Sequence, residues 1–187
     1  MRYINVVGTS AAGKSTLSKS IAKTLGLGYI ELDNLFWQDN WQQSCDEAFF
    51  AAIEQAQRQY SQGYVIDGNY TRSIPVKWRQ IDIVIWLDLP FSQNLRRAIR
   101  RAVSRAWYQQ PLWSNSNNRE SFKQIFSRDS IVWWMIKTHR KNQRHYQKLM
   151  RLHPDLNWIH LQSTQQVEKF LTSLKDQNNR QAHKSPR

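Results

Sequence analysis

Residues 8–16, Gly-Thr-Ser-Ala-Ala-Gly-Lys-Ser-Thr, complete the pattern G-x-x-x-x-G-K-[ST]. These residue types at this spacing serve one kind of chemistry. Gly8 and Gly13 allow backbone angles and a close approach that a Cβ would block. Successive N–H groups of Ser10, Ala11, Ala12, Gly13, Lys14, Ser15 and Thr16 can then converge on anionic oxygens, helped by the positive end of the helix that follows. Lys14 supplies a charge for the β- and γ-phosphates, and the Ser15 hydroxyl is a hard oxygen donor for Mg²⁺. The expected ligand is a nucleoside triphosphate, ATP with Mg²⁺.

Other acids and bases fall near the same edge. Asp67 closes an apolar run in Ile66-Asp67-Gly68-Asn69-Tyr70-Thr71-Arg72. An acid at a strand end beside a phosphate loop fits a Mg²⁺ ligand, itself or through water. Asp88 is its rival for that role, although Asp88-Leu89-Pro90 also reads as a strand end and helix start. Asp33 follows the second apolar run; it is either a turn acid or the carboxylate that binds, or takes a proton from, an acceptor hydroxyl. Arg72 reads as a solvated surface base or as a cation for the acceptor or the transferring phosphoryl. Arg96, Arg97, Arg100, Arg101 and Arg105 stand in two rows at i, i+4 spacing, where like charges repel unless an anion relieves them. Arg101 represents this group as a catalytic candidate, because phosphoryl transfer gathers charge that arginine forks suit. The five histidines show no ligand spacing.

The elements that must position these residues alternate β and α. Strands are expected at about 2–7, 29–32, 64–67, 81–87 and 156–161, with strand 2 beside strand 1. Helices are expected at about 15–26, 46–62, 92–107, 119–152 and 164–174. Ser44 with Glu47, and Ser163 with Gln166, have capping-box spacing. Residues 34–43 and 108–118 read as loops. The pattern predicts an α/β, three-layer P-loop sheet of five mainly parallel strands with a helical lid. Its ligands belong beyond the carboxyl ends of the strands. One domain, 1–176, is expected, with an acceptor-binding insertion at about 34–62, a lid at about 105–130 and a frayed polar tail at 177–187.

Composition narrows the class. The 187 residues carry 27 Lys+Arg against 14 Asp+Glu, a net charge of +13, and nine tryptophans. Residues 91–151 hold fourteen of those bases and only Glu120 and Asp129 as acids, a net +12, so an anion is expected to meet that segment. One cysteine, Cys45, excludes an internal disulfide and a cysteine zinc cluster. No apolar run approaches the roughly 20 residues needed to span a bilayer, and strand 1 starts too early for a leader in the chain as read. A cytoplasmic protein is the expectation; oligomeric state is left open.

With those residues placed, the chain resembles the adenylate-kinase-like P-loop kinases. Tyr64-Val65-Ile66-Asp67-Gly68-Asn69-Tyr70-Thr71-Arg72 is similar to their Asp-Gly-Phe-Pro-Arg stretch, and residues 81–90 to the strand after it. Leu32-Asp33-Asn34-Leu35-Phe36-Trp37 with residues 66–70 resembles the bacterial DNA topology modulation proteins, also called putative adenylate kinases, over about residues 1–170. The resemblance implies a core-plus-lid fold, ATP binding, phosphoryl transfer to a small acceptor, and adenine near Gln162-Ser163-Thr164. Gly13, Lys14, Ser15, Thr16, Asp67 and Arg72 match functional positions of the family, and an arginine in 96–105 matches its lid arginine. The chain also departs from adenylate kinases: no base occurs between Lys23 and Arg58, where they hold the AMP phosphate, and Ser15 replaces a glycine. An acceptor hydroxyl near Asp33, as in shikimate- and gluconate-type kinases, is equally reasonable. Two other classes remain open: an ATPase or topology regulator that binds nucleic acid through 91–151, and a nucleotide sensor without an acceptor.

Overall fold

Strand β1 (Tyr3–Gly8) is apolar without alternation, and Ile4, Val6 and Val7 are wholly buried. A strand buried on both faces belongs at the centre of a parallel sheet covered on both sides. In the computed structural model, which describes residues 1–108 and 131–184, β1 occupies that place. Helix α1 (Lys14–Leu25) follows, then β2 (Gly28–Glu31), the short α2 (Leu32–Phe36), α3 (Asp46–Gln59) and β3 (Tyr64–Asp67). Next come α4 (Ile74–Lys77), β4 (Ile83–Leu87) and α5 (Phe91–Tyr108). The last elements are α6 (Ile131–Leu152), β5 (Asn157–Leu161) and α7 (Thr164–Lys184).

All pairings are parallel, in the order β2-β3-β1-β4-β5. The expected neighbour of β1 was β2; the structure puts β3 there instead. The four residues of β3 are all buried, whereas Gly28, Tyr29 and Glu31 of β2 are only half-buried, so β2 takes the edge. One face of the sheet packs Val7, Ile30, Ile66 and Trp86 against Phe36, Phe49 and Ile53 from α2 and α3, and against Tyr146 and Leu149 from α6. The other packs Ile4, Val6, Val65 and Ile85 against Leu17 and Ile21 of α1 and Leu174 of α7. This is the three-layer α/β fold that the alternation implied. Helices α5 and α6 pack on each other.

Local departures have local causes. The segment 34–43 is not all loop, since α2 runs to Phe36. Helix α3 stops at Gln59, three residues early, where Tyr60 N–H donates to Gln57 O (3.3 Å) and leads into Gly63 at φ +126°. The capping box of Ser44 does not form: its hydroxyl donates to Leu35 O (3.3 Å) and accepts from Gln38 Nε2 (3.3 Å). At α7 a cap does form, with Gln166 N–H donating to Ser163 Oγ (3.2 Å) and Gln166 Oε1 accepting from Gln162 N–H (2.6 Å). Helix α7 continues to Lys184, through most of the expected tail, and Asn178 Nδ2 donates to Thr24 O (3.0 Å). Residues 109–130 of the expected lid lie outside the described residues. Among the described residues, no helix is long and apolar enough to cross a membrane.

Lys77, the last residue of α4, is fully buried. Its ammonium donates to Asn69 O and lies 5.9 Å from the Trp78 ring centroid. Burial pushes it from the ordinary 10.5 down to about 7. The unfolded chain therefore binds more protons between those values, and this group makes stability rise with pH from about 7 towards 10.5. For Lys77→Met, the melting temperature relative to wild type is expected to be highest near pH 7 and to decline by pH 9.5. Thermal melts at the two pH values check this; a pH-independent difference contradicts it.

Candidate active site

The phosphate loop is built by three backbone distortions in six residues. Gly8 has φ +147°, and a Cβ there would stand 2.4 Å from Leu87 O. Gly13 has φ +99° and directly precedes α1, while Ala11 takes φ +63° despite its methyl group. A non-glycine in the left-handed region costs on the order of 1–2 kcal/mol. Such strain persists only where surrounding bonds over-determine the loop. Asn69 provides part of that constraint. Its Nδ2 donates to Gly8 O (2.8 Å), and its Oδ1 accepts from Gly8 N–H (3.1 Å). Arg97 of α5 holds the other end by donating to Ala12 O (3.0 Å) and Thr164 Oγ1 (3.4 Å).

Register brings the acid to the loop. Val6 pairs with Asp67 across β1 and β3, so Asp67 stands beside the chain two residues before Gly8. Asp67 is buried, its Oδ2 accepts from the Tyr29 hydroxyl (3.0 Å), and it interacts with the Ser15 hydroxyl. Burial raises its pKa, opposed by the Lys14 charge and the Ser15 and Tyr29 hydroxyls, with Asp33 adding to the rise. Lys14 donates to Thr9 O (3.3 Å). Burial lowers its pKa, Asp67 and Asp33 pull it back, and Arg101 adds to the fall. Lys14, Asp67 and Asp33 thus feel one another's charge. A carboxylate and a serine hydroxyl are the hard oxygens Mg²⁺ takes alongside phosphate and water. Among the described residues no group of three or more His, Cys, Asp or Glu could hold a metal by itself.

An open cleft of about 1370 Å³ joins these groups to Asp33. It exceeds the roughly 300–1,000 Å³ of a site for one drug-sized ligand. Its phosphate side is lined by Ser10–Leu17, Arg97, Arg101 and Thr164, with Val167 and Leu171 of α7 as an apolar wall. Its other side holds Glu31, Asp33, Phe36, Trp37, Trp41, Gln43 and Gly68–Tyr70, and α6 contributes Lys137 and Asn142. The Asp33 carboxylate accepts from the Tyr70 hydroxyl (2.6 Å) through Oδ1. Glu31 Oε2 accepts from Asn34 Nδ2 (2.9 Å).

Of the residues chosen from sequence, the structure brings Gly8, Ser10–Thr16, Lys14, Asp33, Asp67 and Arg101 together. Arg101 donates to Ser10 Oγ (3.4 Å). Arg72 is not brought in: it pairs with Asp46 (3.1 Å), lies 4.7 Å from the Phe36 ring centroid, and is half-exposed outside the cleft. The 3₁₀ turn Thr71–Ser73 directs it towards the start of α3. Asp88, the rival metal acid, is occupied in tying elements: it accepts from Gln143 Nε2 (2.8 Å) and bonds His160 Nε2 (3.0 Å). Of the arginine rows, Arg97 and Arg101 face the loop, whereas Arg96 and Arg100 are exposed. Sequence reasoning did not single out Tyr29, Glu31, Asn69 or Tyr70, and it named Arg97 only as one of five helix arginines. Alternation along β2, which puts Tyr29 and Glu31 on one face, was the available signal for the first two.

Residues 10–67 match the shikimate kinase family model. A shikimate kinase of Synechococcus elongatus is 30% identical over 105 residues, 49% of this chain and 55% of that protein. Another, from Synechococcus sp. strain CC9902, is 26% identical over 122 residues, 59% of this chain and 64% of that one. The chain spans about half the length of the curated relatives it matches. Among solved structures, shikimate kinase from Acinetobacter baumannii in complex with shikimate superposes with a TM-score of 0.54 at 14% identity, over 100% of this chain and 96% of that one. The Bacteroides thetaiotaomicron shikimate kinase gives 0.52 at 14%, over 95% and 98%. At that identity the likeness establishes the fold.

Removing the Asn69 side chain orphans both polar groups of Gly8. Asn69→Ala is expected to cost about 1–3 kcal/mol and to weaken ATP binding, read by thermal melting and nucleotide titration. Unchanged ATP affinity would contradict the bracing role.

Proposed function

We propose that this chain is an ATP- and Mg²⁺-dependent phosphotransferase that moves the γ-phosphoryl group to a hydroxyl of a small acceptor. The observation that carries this is the single cleft uniting the Lys14–Ser15–Asp67 cluster with the Asp33 carboxylate. The match of residues 10–67 to the shikimate kinase model supports the same class of reaction. It also makes shikimate the first acceptor to test.

In this reading the phosphate loop binds the triphosphate, and adenine lies by Thr164, Val167 and Leu171. Ser15 and Asp67 would hold Mg²⁺, which would supply positive charge to the triphosphate. The acceptor hydroxyl gives its proton to Asp33. Its oxygen bonds to the γ-phosphorus as the bond to the β,γ-bridging oxygen breaks, and ADP leaves with that electron pair. Lys14 and Arg101 balance charge on the transferring group. Asp33 lines the same cleft, where its carboxylate can meet an acceptor hydroxyl.

A hydroxyl acceptor is preferred to a nucleoside monophosphate. Arg72, the cation that the resemblance offered for an acceptor phosphate, is engaged with Asp46 outside the cleft. The kinase reading is also preferred to a nucleic-acid-driven ATPase. Arg97 and Arg101 of the basic segment turn to the phosphate loop and not outward.

ADP formation is measured against small alcohols, nucleoside monophosphates and DNA. Lys14→Ala is expected to abolish acceptor-dependent turnover and weaken ATP binding. Asp33→Asn is expected to lower kcat by about 10²–10⁴-fold with ATP affinity within about threefold. Turnover that survives Lys14→Ala, or depends on DNA alone, would overturn the reading.

A further inference from the structure

Resting on the kinase reading, one short loop links the two halves of the cleft. Tyr70 stands between Asn69, whose side chain braces Gly8, and the 3₁₀ turn Thr71–Ser73. Its backbone takes φ +22° and ψ +72°. A bulky residue at positive φ is an outlier. Such a conformation persists only where its surroundings over-determine it, and it clusters at active sites. Bonds on both sides hold it here. Before it, Lys77 donates to Asn69 O from a fully buried position. After it, the buried Ser73 donates to Tyr70 O through both its N–H (2.9 Å) and its hydroxyl (2.8 Å).

The side chain is fixed as firmly. Its ring packs on Phe36 and Phe49, with centroids 4.9 and 5.0 Å away. Its hydroxyl donates to Asp33 Oδ1 at 2.6 Å, a length that fits a charge-assisted bond. The Trp37 side chain, whose indole N–H can only donate, bonds the same phenol. The Trp37 backbone N–H donates to Asp33 O (3.0 Å). Asp33, Trp37 and Tyr70 therefore close a ring of hydrogen bonds. Lys14 also attracts Asp33, but charge attraction does not fix how a carboxylate is turned, whereas a hydrogen bond does. Burial and the Asp33 charge hold the Tyr70 phenol well above its ordinary value, so it stays a donor.

From this geometry we infer that Tyr70 is a positioning residue of the phosphoryl transfer, which turns the Asp33 carboxylate to the acceptor hydroxyl. A base that is itself oriented by a third group is a recurring catalytic arrangement. In the transfer the acceptor O–H proton passes to Asp33. The acceptor oxygen bonds to the γ-phosphorus as the bond to the β,γ-bridging oxygen breaks, and ADP leaves with that electron pair. Tyr70 keeps its own proton throughout. The loop that braces Gly8 through Asn69 thus also aims Asp33 through Tyr70.

The test compares wild type, Tyr70→Phe, Asp33→Asn and the double variant. ATP binding is titrated first, and ADP formation is then followed with shikimate, monosaccharides and nucleosides as acceptor probes. Tyr70→Phe keeps the ring and removes only the hydroxyl. Its kcat is expected to fall by about 10–100-fold, with the acceptor KM and the ATP Kd within about threefold of wild type. Added to Asp33→Asn, it is expected to lower kcat by less than about threefold more, because a residue that acts through Asp33 then has nothing left to aim. A Tyr70→Phe kcat within about threefold of wild type overturns the inference and leaves the kinase reading standing. So does a double variant whose losses multiply, since a merely structural hydroxyl would cost the same with or without Asp33. If Asp33→Asn keeps the wild-type kcat, or if wild type binds no ATP·Mg²⁺ or phosphorylates no probe, the kinase reading itself fails and the inference falls with it.

Discussion

Parallel pairing of β3 against β1 is the constraint on which the site depends. It sets Asp67 opposite Val6, and the two strands end together, one opening into the phosphate loop and the other into Gly68-Asn69-Tyr70. Asn69 then bonds both polar groups of Gly8, so the two loops are fixed to each other by backbone and side chain at once. Lys77 closes the chain of support by donating to Asn69 O from a fully buried position. The loop that carries Tyr70, and through it Asp33, is thus held to the loop that carries Lys14. The spacing of Asp67 from the phosphate loop is thus set by strand pairing, which is what the proposed phosphoryl transfer would require.

That arrangement carries an electrostatic cost. Lys14 and Asp67 are packed where burial disfavours each charge, and their mutual attraction offsets part of it, with Asp33 also acting on Lys14. Arg101 adds to the fall that burial imposes on Lys14, while Asp67 and Asp33 oppose it. Tyr29 and Tyr70 each donate to one carboxylate, and in turn burial and the neighbouring acids raise both phenols above their ordinary value. They remain proton donors over the whole physiological range. The carboxylates are therefore oriented by groups that do not compete for their protons.

How much of this was legible in the residues follows from the range of each interaction. The phosphate loop is contiguous, so its string and its strand-to-helix setting identified Gly8 to Thr16 at once. Asp67 and Asp33 were found because strand ends in a parallel sheet share one edge. Strand order was not legible, since which strand sits beside β1 is decided by burial summed over several elements. Arg72 misled for a related reason: its place five residues past Asp67 is the same whichever way the 3₁₀ turn points it. The Ser44 capping box failed because that hydroxyl found partners in Leu35 and Gln38, a competition local patterns do not encode. Asn69 carries no pattern at all; its role exists only once β1 and β3 are paired.

The cleft divides charge by function. Lys14, Arg97 and Arg101 donate to the phosphate loop, and the carboxylates Glu31 and Asp33 line the cleft across from it. In the proposed kinase reading the acceptor hydroxyl would meet Asp33 within reach of the Lys14 charge.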